Sequence, residues 1–441
     1  MTPATRSQGV WWLSPPGAVL LVVPVTLWLA VSADDAQYRA SWRTAKALTD
    51  STAGLFALGA ACFVAGGLWP LLLRSRGEPN GRWPSWDAVA IQRLRSASSV
   101  VFWMTMVGYL ALGAAGVARG ARPAQLVAAL TGQNAFSSVL REQFAPVTGI
   151  TTFTQLGIAY VVIAVLLLTL GWDRRLVRRL ALVMVLALMR TFFLTERLAI
   201  LELAIPAVAV VSLAITRAPS PRLDRLRRLV QVAPLVFVPT VIGLFSLFEY
   251  SRSWVFYSQR GGSFASFAID RLAGYYSTAY NNGQLALTYG DQGVPVPYGS
   301  IEALWTAPGA GQLDLYSRLT GIDEPNAFAT ILVQHGNPEF NSPGGLSIPF
   351  LDFGTVGGLV FFFALGSVLS LMYRRCCEGS DWTVLIYPVL VTGLFEMPRY
   401  LYFGQGRVAP SLVALLVVHW YVSRGARAAR PLRSPILEPT T

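Results

Sequence analysis

Charged side chains are scarce in this sequence, and its hydrophobic residues occur in long runs. Asp, Glu, Lys and Arg make up 13% of the 441 residues, whereas soluble domains contain roughly 25%. Hydrophobic residues make up 54%, and runs such as 159–170 lie between short arginine-rich stretches. Because a bilayer core of about 30 Å requires about 20 apolar residues per helix, the composition excludes a set of soluble domains. It predicts an all-α, polytopic membrane bundle of about ten transmembrane helices.

Cysteine and histidine are also rare, and several common functional motifs are missing. The three cysteines provide no disulfide framework, and they form no zinc-binding spacing with His335 and His419. The P-loop, HExxH and dinucleotide-binding motifs are absent. No internal repeat is visible, which disfavours a transporter built from repeated halves. The small number of ionisable residues inside the apolar runs disfavours an ion pump or channel.

Ten apolar segments are predicted to cross the membrane. The first of them also resembles the core of a signal peptide, but only Arg6 precedes it, so we expect it to remain as a helix. The predicted spans are residues 12–31, 51–73, 99–118, 150–171, 177–194, 197–215, 230–248, 349–373, 382–397 and 403–422.

The placement of arginine sets the predicted orientation. If the N-terminus is cytoplasmic, most basic residues fall in short cytoplasmic segments, as the positive-inside rule requires. The opposite orientation would place the basic runs at 174–179 and 222–228 outside. The net charge of +12 therefore reflects membrane topology, and we expect no nucleic-acid partner. Both termini are predicted to be cytoplasmic, in a multi-pass protein of the cytoplasmic (plasma) membrane.

The same topology divides the chain into four parts. Residues 1–248 form an N-terminal membrane bundle of about seven helices, with a re-entrant or interfacial helix expected at 123–144. Residues 249–348 form a large extracytoplasmic loop between helices 7 and 8. This loop is too rich in apolar residues to be disordered, so we expect a folded cap. Residues 349–423 supply about three further helices, and 424–441 form a cytoplasmic tail.

The hairpin between the fifth and sixth predicted spans contains charges close to the membrane. Arg190, Glu196 and Arg197 lie near its outer boundary, and Glu202 lies about one turn deeper. Charges at this depth are costly, and they usually pair with one another or serve a function. The alternative is a Glu–Arg pair that closes the hairpin, with the arginine side chain extended to the interface.

The large loop provides further cations and side chains suited to sugars. The planar fork of arginine binds two oxygens of a pyrophosphate or carboxylate at once. Tyrosine and asparagine can stack on sugars and hydrogen-bond to them. For each loop arginine, the alternative is a solvated surface role. The candidate substrate-binding residues of this loop are Arg252, Arg260, Tyr275, Tyr276, Asn281 and Asn282, and Arg271 is the preferred catalytic cation.

Four further candidates flank the membrane boundary. His335 can remove a proton from a hydroxyl near neutral pH, although a structural role is the alternative. Asn341 and Asp352 are candidate substrate-binding residues, and Asp352 has pairing with an arginine as its alternative. The acidic pair at 34–35 either binds a metal or acts as a base in an enzyme that uses a single lipid-linked sugar, or it is a solvated helix end.

Four stretches resemble the oligosaccharide repeat-unit polymerases, the O-antigen polymerase or Wzy-type family, in an actinobacterial form. The overall plan of ten or more helices and one dominant late loop is also similar. The stretches are the proline pair at 15–16, VTGITTFTQL at 147–156, RTFFLTERLAILELAIP at 190–206 and NSPGGLSIPFLDFGTVGG at 341–358.

The resemblance implies a glycosyltransferase that works at the outer face of the cytoplasmic membrane without a metal or cofactor. It would transfer the growing chain from undecaprenyl pyrophosphate to a new lipid-linked repeat unit. Arginines would stabilise the leaving pyrophosphate, and Glu196 or His335 would act as the base. The expected partners are lipid-linked oligosaccharides, membrane lipids, a flippase and a chain-length-control protein. The alternatives are an O-antigen-ligase-like or polyprenyl-phosphate-sugar enzyme, and a non-enzymatic glycan exporter or assembly protein. The candidate catalytic residues are Glu196, Arg197, Arg271 and His335, and Arg190 joins the substrate-binding set.

Overall fold

Helices form the regular structure of the described part of the chain, where no strand occurs. This confirms the all-helical fold class. The computed structural model describes residues 9–72, 83–84, 86–130, 139–140, 142–145, 147, 149, 151–194, 196, 198–218, 220–250, 254, 258, 262–290, 296–322, 324–379 and 381–428.

Short connectors join several neighbouring principal helices, and longer connections lie between α1 and α2, between α3 and α4, and between α8 and α11. A 3-10 turn at Thr151–Gln155 leads directly into α4, and shorter helices occur at Pro123–Leu130, Glu302–Trp305 and Leu315–Thr320. The principal helices are α1 (Pro15–Ser32), α2 (Asp50–Leu72), α3 (Ala88–Ala118), α4 (Leu156–Leu170), α5 (Arg174–Phe193), α6 (Leu198–Arg217), α7 (Asp224–Gln231), α8 (Pro234–Glu249), α9 (Phe264–Tyr289), α10 (Glu324–His335), α11 (Ile348–Cys377), α12 (Asp381–Glu396) and α13 (Ala409–Ala428).

Several of these helices are long and apolar enough to cross a membrane. Within the described residues six qualify, namely α1, α2, α3, α4 with its preceding turn, α6 and α11. The helices α7 and α8 are bent by 55° at their junction and would add a seventh span if they form one unit. A multi-pass membrane protein is therefore confirmed. A helix lies at each of the ten predicted positions, but α5, α12 and α13 fall outside this set, so the count of ten remains a prediction.

The starts of the membrane helices follow ordinary capping chemistry. The Ser14 side chain accepts a hydrogen bond from the backbone N–H of Gly17, and prolines occupy the first two positions of α1. Proline is favoured there because its missing N–H would have no partner in any case. Asp87 and Asp173 cap α3 and α5 in the same way. The proline pair of the family resemblance therefore marks the start of a helix.

The helices pack closely where small residues meet. The backbones of α2 and α11 approach each other at Gly66 and Gly366, because a Cβ at Gly66 would overlap the carbonyl oxygen of Phe363. A Cβ at Gly366 would likewise overlap the carbonyl oxygen of Phe63. Small residues permit this approach between membrane helices. At the centre of the bundle, 72% of the span formed by α4 is buried inside the protein, against 39% for α1, α2 and α3.

The segment predicted as a cap, residues 249–348, is partly helical and joined to the bundle. Its longest helix, α9, packs against α1 and α10. The Tyr280 hydroxyl lies 3.0 Å from Thr26 Oγ1 of α1, and both side chains are buried. The position of this segment outside the membrane stays a prediction. In the predicted re-entrant helix, Pro123–Leu130 is helical, and residues 131–138 lie outside the described residues.

Candidate functional site

A series of arginine–glutamate ion pairs connects α5, α6, α9 and the turns on either side of residue 402. We call it the arginine row. Three of its arginines come from connectors or helix ends, where a guanidinium can reach both bundle and loop. Its pairs are Arg190–Glu196, Arg407–Glu202, Arg399–Glu396 and Arg271 with both Glu339 and Glu249.

Arg190 and Glu196 form the first pair. Arg190 lies in the last turn of α5, where the helix dipole favours a positive charge. Its Nη2 is 2.6 Å from Glu196 Oε2, and its Nη1 donates to Thr154 Oγ1 at 2.8 Å. The structure therefore brings together two of the charges predicted in this hairpin and connects them to the start of α4. Arg197 lies outside the described residues.

The second pair contains the more deeply buried carboxylate, with 2% of the Glu202 side chain exposed against 28% for Glu196. Arg407 contacts both carboxylate oxygens of Glu202, with Nε 2.6 Å from Oε1 and Nη2 2.9 Å from Oε2. The Tyr402 hydroxyl donates to the same Oε1 at 3.0 Å. Glu202 is buried, and a buried carboxylate requires a cation and hydrogen bonds of this kind. Glu196 also lies within electrostatic reach of Arg407, so the first two pairs are neighbours.

Arg399 and Arg271 share an aromatic ring. Arg399 pairs with Glu396 at 3.0 Å, and its guanidinium carbon lies 5.3 Å from the centre of the Tyr275 ring. The guanidinium carbon of Arg271 lies 5.7 Å from the same ring. Cations at such distances are attracted by the aromatic face. Tyr275 therefore joins the arginine of the loop helix α9 to the arginine that follows α12.

Arg271 is the most enclosed cation of the row. Its side chain is 5% exposed, Nη2 pairs with Glu339, and Nε lies 3.6 Å from Glu249 Oε2. The guanidinium also lies over the Phe340 ring, at 4.6 Å from its centre. Of the predicted catalytic residues, Arg271 thus lies in the row with Glu196, but its own environment is largely closed.

The glycine-rich motif at 341–358 packs against the turn that carries Arg399. Gly344 and Gly345 donate backbone hydrogen bonds to the carbonyls of Arg399 and Pro398, at 3.1 and 3.3 Å. Gly344 has φ +83, and a Cβ at Gly345 would overlap the carbonyl oxygen of Met397. A side chain at either position would strain or displace the turn that carries Arg399. The motif therefore has a structural reason to be glycine.

Two predicted sugar-binding amides are engaged by the backbone. Both Asn281 and Asn282 are buried on α9. Asn281 Oδ1 accepts from the backbone N–H groups of Ala47 and Leu48, at 2.6 and 3.0 Å. Asn282 Nδ2 donates to the carbonyls of Phe340 and Ser342 at 2.6 and 3.0 Å. In this structure both amides fix the chain segments that surround the row.

Asp352 has a similar role at the start of α11. Its carboxylate accepts from the backbone N–H groups of Tyr298, Gly299 and Ser300, at 3.0, 3.3 and 2.6 Å. The partners of the Asp352 carboxylate among the described residues are therefore three backbone N–H groups and not an arginine. Asn341 is exposed immediately before Ser342, whose hydroxyl accepts from Arg399 Nη2 at 3.4 Å.

Tyr276 is half-buried beside the row, within electrostatic reach of Glu396 and Arg399. Burial raises the pKa of Tyr276 to about 12, so the phenol stays protonated and can donate a hydrogen bond. Among the predicted substrate-binding residues, Tyr275 and Tyr276 thus lie with Arg190 in or beside the row. Arg252 and Arg260 lie outside the described residues.

His335 lies away from the arginine row. It ends α10, is exposed, and stacks on the Tyr289 ring with centres 3.8 Å apart and planes 4° apart. Tyr289 and Arg271 belong to the same helix, α9, and are separated along it by about 27 Å at 1.5 Å per residue. The structure therefore does not bring the predicted base together with the predicted catalytic cation.

Several members of the row, and the neighbouring Tyr402, were not anticipated from the sequence. Arg399, Arg407 and Tyr402 lie in the connector between α12 and α13. The available signal is two arginines close to the boundary between two apolar runs, where charges usually have a partner. Glu202 was noticed because of its depth, but nothing in the sequence indicated which cation it contacts.

The acidic pair at 34–35 has local partners. Asp34 Oδ1 caps a short helix by accepting from the Gln37 N–H at 2.7 Å. Asp35 pairs with Arg39 at 2.6 Å and accepts from the Lys46 N–H. The hydrogen bond from Arg39 lowers the pKa of Asp35 below its ordinary value. Within the described ranges, no group of three or more His, Cys, Asp or Glu side chains is placed to bind a metal.

An apolar groove lies on α3 close to the first ion pair. Its lining is hydrophobic except for one serine, and it reaches the 3-10 turn that precedes α4. The next residue of that turn, Thr154, accepts the hydrogen bond from Arg190. The groove is lined by Ser99, Val100, Trp103, Met104, Val107 and Phe153.

Chemically, the arginine row offers guanidinium groups that carboxylates already orient for phosphate or carboxylate oxygens. It lies where the segment between α8 and α11 meets the membrane bundle. No known protein family, curated protein or solved structure matches the chain.

Proposed function

We propose that this protein joins oligosaccharide repeat units carried on undecaprenyl pyrophosphate into a longer polysaccharide. The observation that carries the proposal is the arginine row, a set of oriented cations within a multi-pass membrane bundle. The donor sugar would leave as a lipid pyrophosphate, and negative charge would develop on that group. Cations fixed in advance stabilise such charge without reorganising during the reaction.

The exposed fraction of each arginine side chain indicates which of the four can contact a substrate. Arg407 has 31% of its side chain exposed, Arg399 has 19%, and Arg190 has 12%. Arg271, by contrast, is nearly closed off between two carboxylates. We therefore assign contact with the pyrophosphate to Arg407, Arg399 and Arg190. Arg271 would fix the loop helix α9 and the Tyr275 ring against the bundle.

The apolar groove on α3 supports a lipid-linked substrate. A polyprenyl chain is apolar, and its pyrophosphate is anionic, so its binding site must combine both properties. The groove is open to the membrane side of α3, where Trp103 is 60% exposed. At its end, Thr154 receives the hydrogen bond from Arg190. A chain in this groove would present its head group to the arginine row.

The topology that suits this function has ten spans in the cytoplasmic membrane with both termini inside. It adds α5, α12, α13 and the bent α7–α8 pair to the six qualifying helices. Under this topology every arginine of the row falls at an outer helix end or in an outer connector. That placement suits substrates that reach the outer face on lipid carriers.

Gene deletion tests this function directly. We expect the deletion strain to lose long polysaccharide chains and to accumulate single repeat units on lipid, as measured by electrophoresis of the glycan. Reintroduced Arg407→Gln should fail to restore long chains. Arg375→Gln is the matched control, because Arg375 is exposed in the last turn of α11, far from the row. Normal chain length in the deletion strain would refute the proposal.

A further inference from the structure

The proposed reaction needs a group that accepts the proton of the attacking sugar hydroxyl. The carboxylates of the arginine row are poor choices, since each is held by an arginine. A carboxylate that is already held in an ion pair has fewer oxygen lone pairs directed toward an incoming hydroxyl group. Efficient bases have a proton affinity matched to the working pH. The base should therefore be a carboxylate at the row that lacks such a pair.

Glu302 meets this requirement. It begins the short helix Glu302–Trp305, is half-buried, and lies close to the backbone of Gly406. The positive charge of Arg407 lies within electrostatic reach of Glu302, but the ion pair of Arg407 is formed with Glu202. In the described part of the chain no arginine forms an ion pair with Glu302. Burial raises the pKa of Glu302 above its ordinary value, and Arg407 opposes that rise only in part.

The polypeptide around Glu302 is fixed on two sides. Asp352 of α11 accepts hydrogen bonds from the backbone just before it, at residues 298–300. On the other side, a Cβ at Gly404 would overlap the carbonyl oxygen of Ser300, and one at Gly406 would overlap Thr306 Oγ1. The segment 298–306 therefore packs tightly on the turn that carries Arg407. This packing places Glu302 beside the most exposed cation of the row.

We propose that Glu302 accepts the proton from the acceptor hydroxyl during chain transfer, an inference that rests on the proposed function. The acceptor O–H bond breaks, and its proton moves to the Glu302 carboxylate. The freed oxygen forms a bond to the anomeric carbon of the donor. The bond from that carbon to the pyrophosphate oxygen breaks, and its electron pair leaves with the lipid pyrophosphate beside Arg407. Glu302 then releases the proton to water.

The experiment uses the full-length protein in lipid nanodiscs and lipid-linked single repeat units extracted from the deletion strain. Rates of polymer formation are measured against substrate concentration and pH for wild type, Glu302→Gln and Glu302→Asp. Asp314→Asn is the matched control, because Asp314 is an exposed acid of the segment between α8 and α11 that lies outside residues 298–306. Its positive φ of 46° is one that asparagine tolerates.

We expect Glu302→Gln to lower kcat by about 100-fold or more, the usual contribution of a general base, while KM changes little. The wild-type rate should fall as the pH drops through the raised pKa of Glu302, because only the carboxylate form accepts a proton. That acid limb should vanish in Glu302→Gln and persist in Glu302→Asp and Asp314→Asn. A Glu302→Gln protein that keeps the acid limb, or most of kcat, would overturn the assignment. An inactive wild type would instead overturn the proposed function.

Discussion

At the scale of single residues, the ion pair between Glu202 and Arg407 is the most demanding feature of the site. Glu202 has 2% of its side chain exposed, so its charge depends on the two contacts with Arg407 and on the Tyr402 hydroxyl. Removing one partner of such a pair leaves an uncompensated buried charge, which costs about 3–5 kcal/mol. The same arginine therefore serves both stability and the proposed chemistry.

This pair gives the first prediction. Arg407→Gln should lower the free energy of unfolding by about 3 kcal/mol, whereas the double variant Glu202→Gln/Arg407→Gln should recover part of that loss. The recovery is expected because two neutral amides leave no buried charge. Thermal unfolding of the purified protein measures both. A double variant no more stable than Arg407→Gln alone would contradict the assignment of the cost to an unpaired Glu202.

The residues of the row were predictable only where the partners are close in sequence. Arg190 and Glu196 belong to one hairpin, so their pairing followed from the charges at its tip. Glu202 and Arg407 are separated by 205 positions, and no local pattern connects them. The loop amides were predicted to bind sugars because of their chemistry. Asn281 is buried, and its partners are backbone groups far away along the chain, so its role in sugar binding stays a prediction.

At the scale of helices, the contact between α2 and α11 depends on glycine. Gly66 lies against the backbone of Phe363, and Gly54 of the same helix has open space where a Cβ would go. The two positions therefore separate a packing effect from a propensity effect within a single helix.

Gly66→Ala should lower the stability of the protein, and Gly54→Ala should not. Overpacking at Gly66 should cost about 1–3 kcal/mol, because the added methyl meets a backbone carbonyl that cannot rotate away. Gly54→Ala should be neutral or stabilising by up to about 1 kcal/mol, since alanine favours the helix. Thermal unfolding of the two variants in one detergent provides the comparison. Equal effects at both sites would refute the close contact.

Hydropathy predicted where the helices lie. It did not predict which of these helices are long and apolar enough to cross a membrane. A helix occupies each predicted segment, because about 20 apolar residues in a row have few other stable forms in a membrane. Arginine-rich ends keep α5 out of the qualifying set, since its first turns contain the basic run at 174–179. The long helix α9 was not predicted, because its many polar residues give no apolar run.

At the scale of the whole molecule, the proposed topology divides the net charge of +12 between the two sides of the membrane. Under the proposed topology the exposed arginines of α5 and α7 face the cytoplasm, and the arginine row faces outward with its carboxylates. The arginines of the row are paired with glutamates, whereas Arg174 and Arg175 are exposed. The orientation of the entire chain can therefore be tested at two positions.

Single cysteines provide that test in a background where Cys62, Cys376 and Cys377 are replaced by serine. A membrane-impermeant maleimide should label Asp314→Cys in intact cells. Arg174→Cys, also exposed, should be labelled only after the cells are permeabilised. The reverse pattern would invert the topology and remove the outer-face reaction with it.

The Tyr275 ring, which lies between Arg271 of α9 and Arg399 beyond α12, constrains how such a protein can change during evolution or engineering. Exchange of residues 249–348 for a segment of another protein would remove both Arg271 and Tyr275, and the side chains that replace them would have to fit the turn that carries Arg399. Exchange of residues 249–348 alone should therefore yield inactive chimaeras. A chimaera in which residues 249–348 and residues 396–408 are exchanged together should stay active. Substrate preference would then be transferred only when both segments come from the same protein.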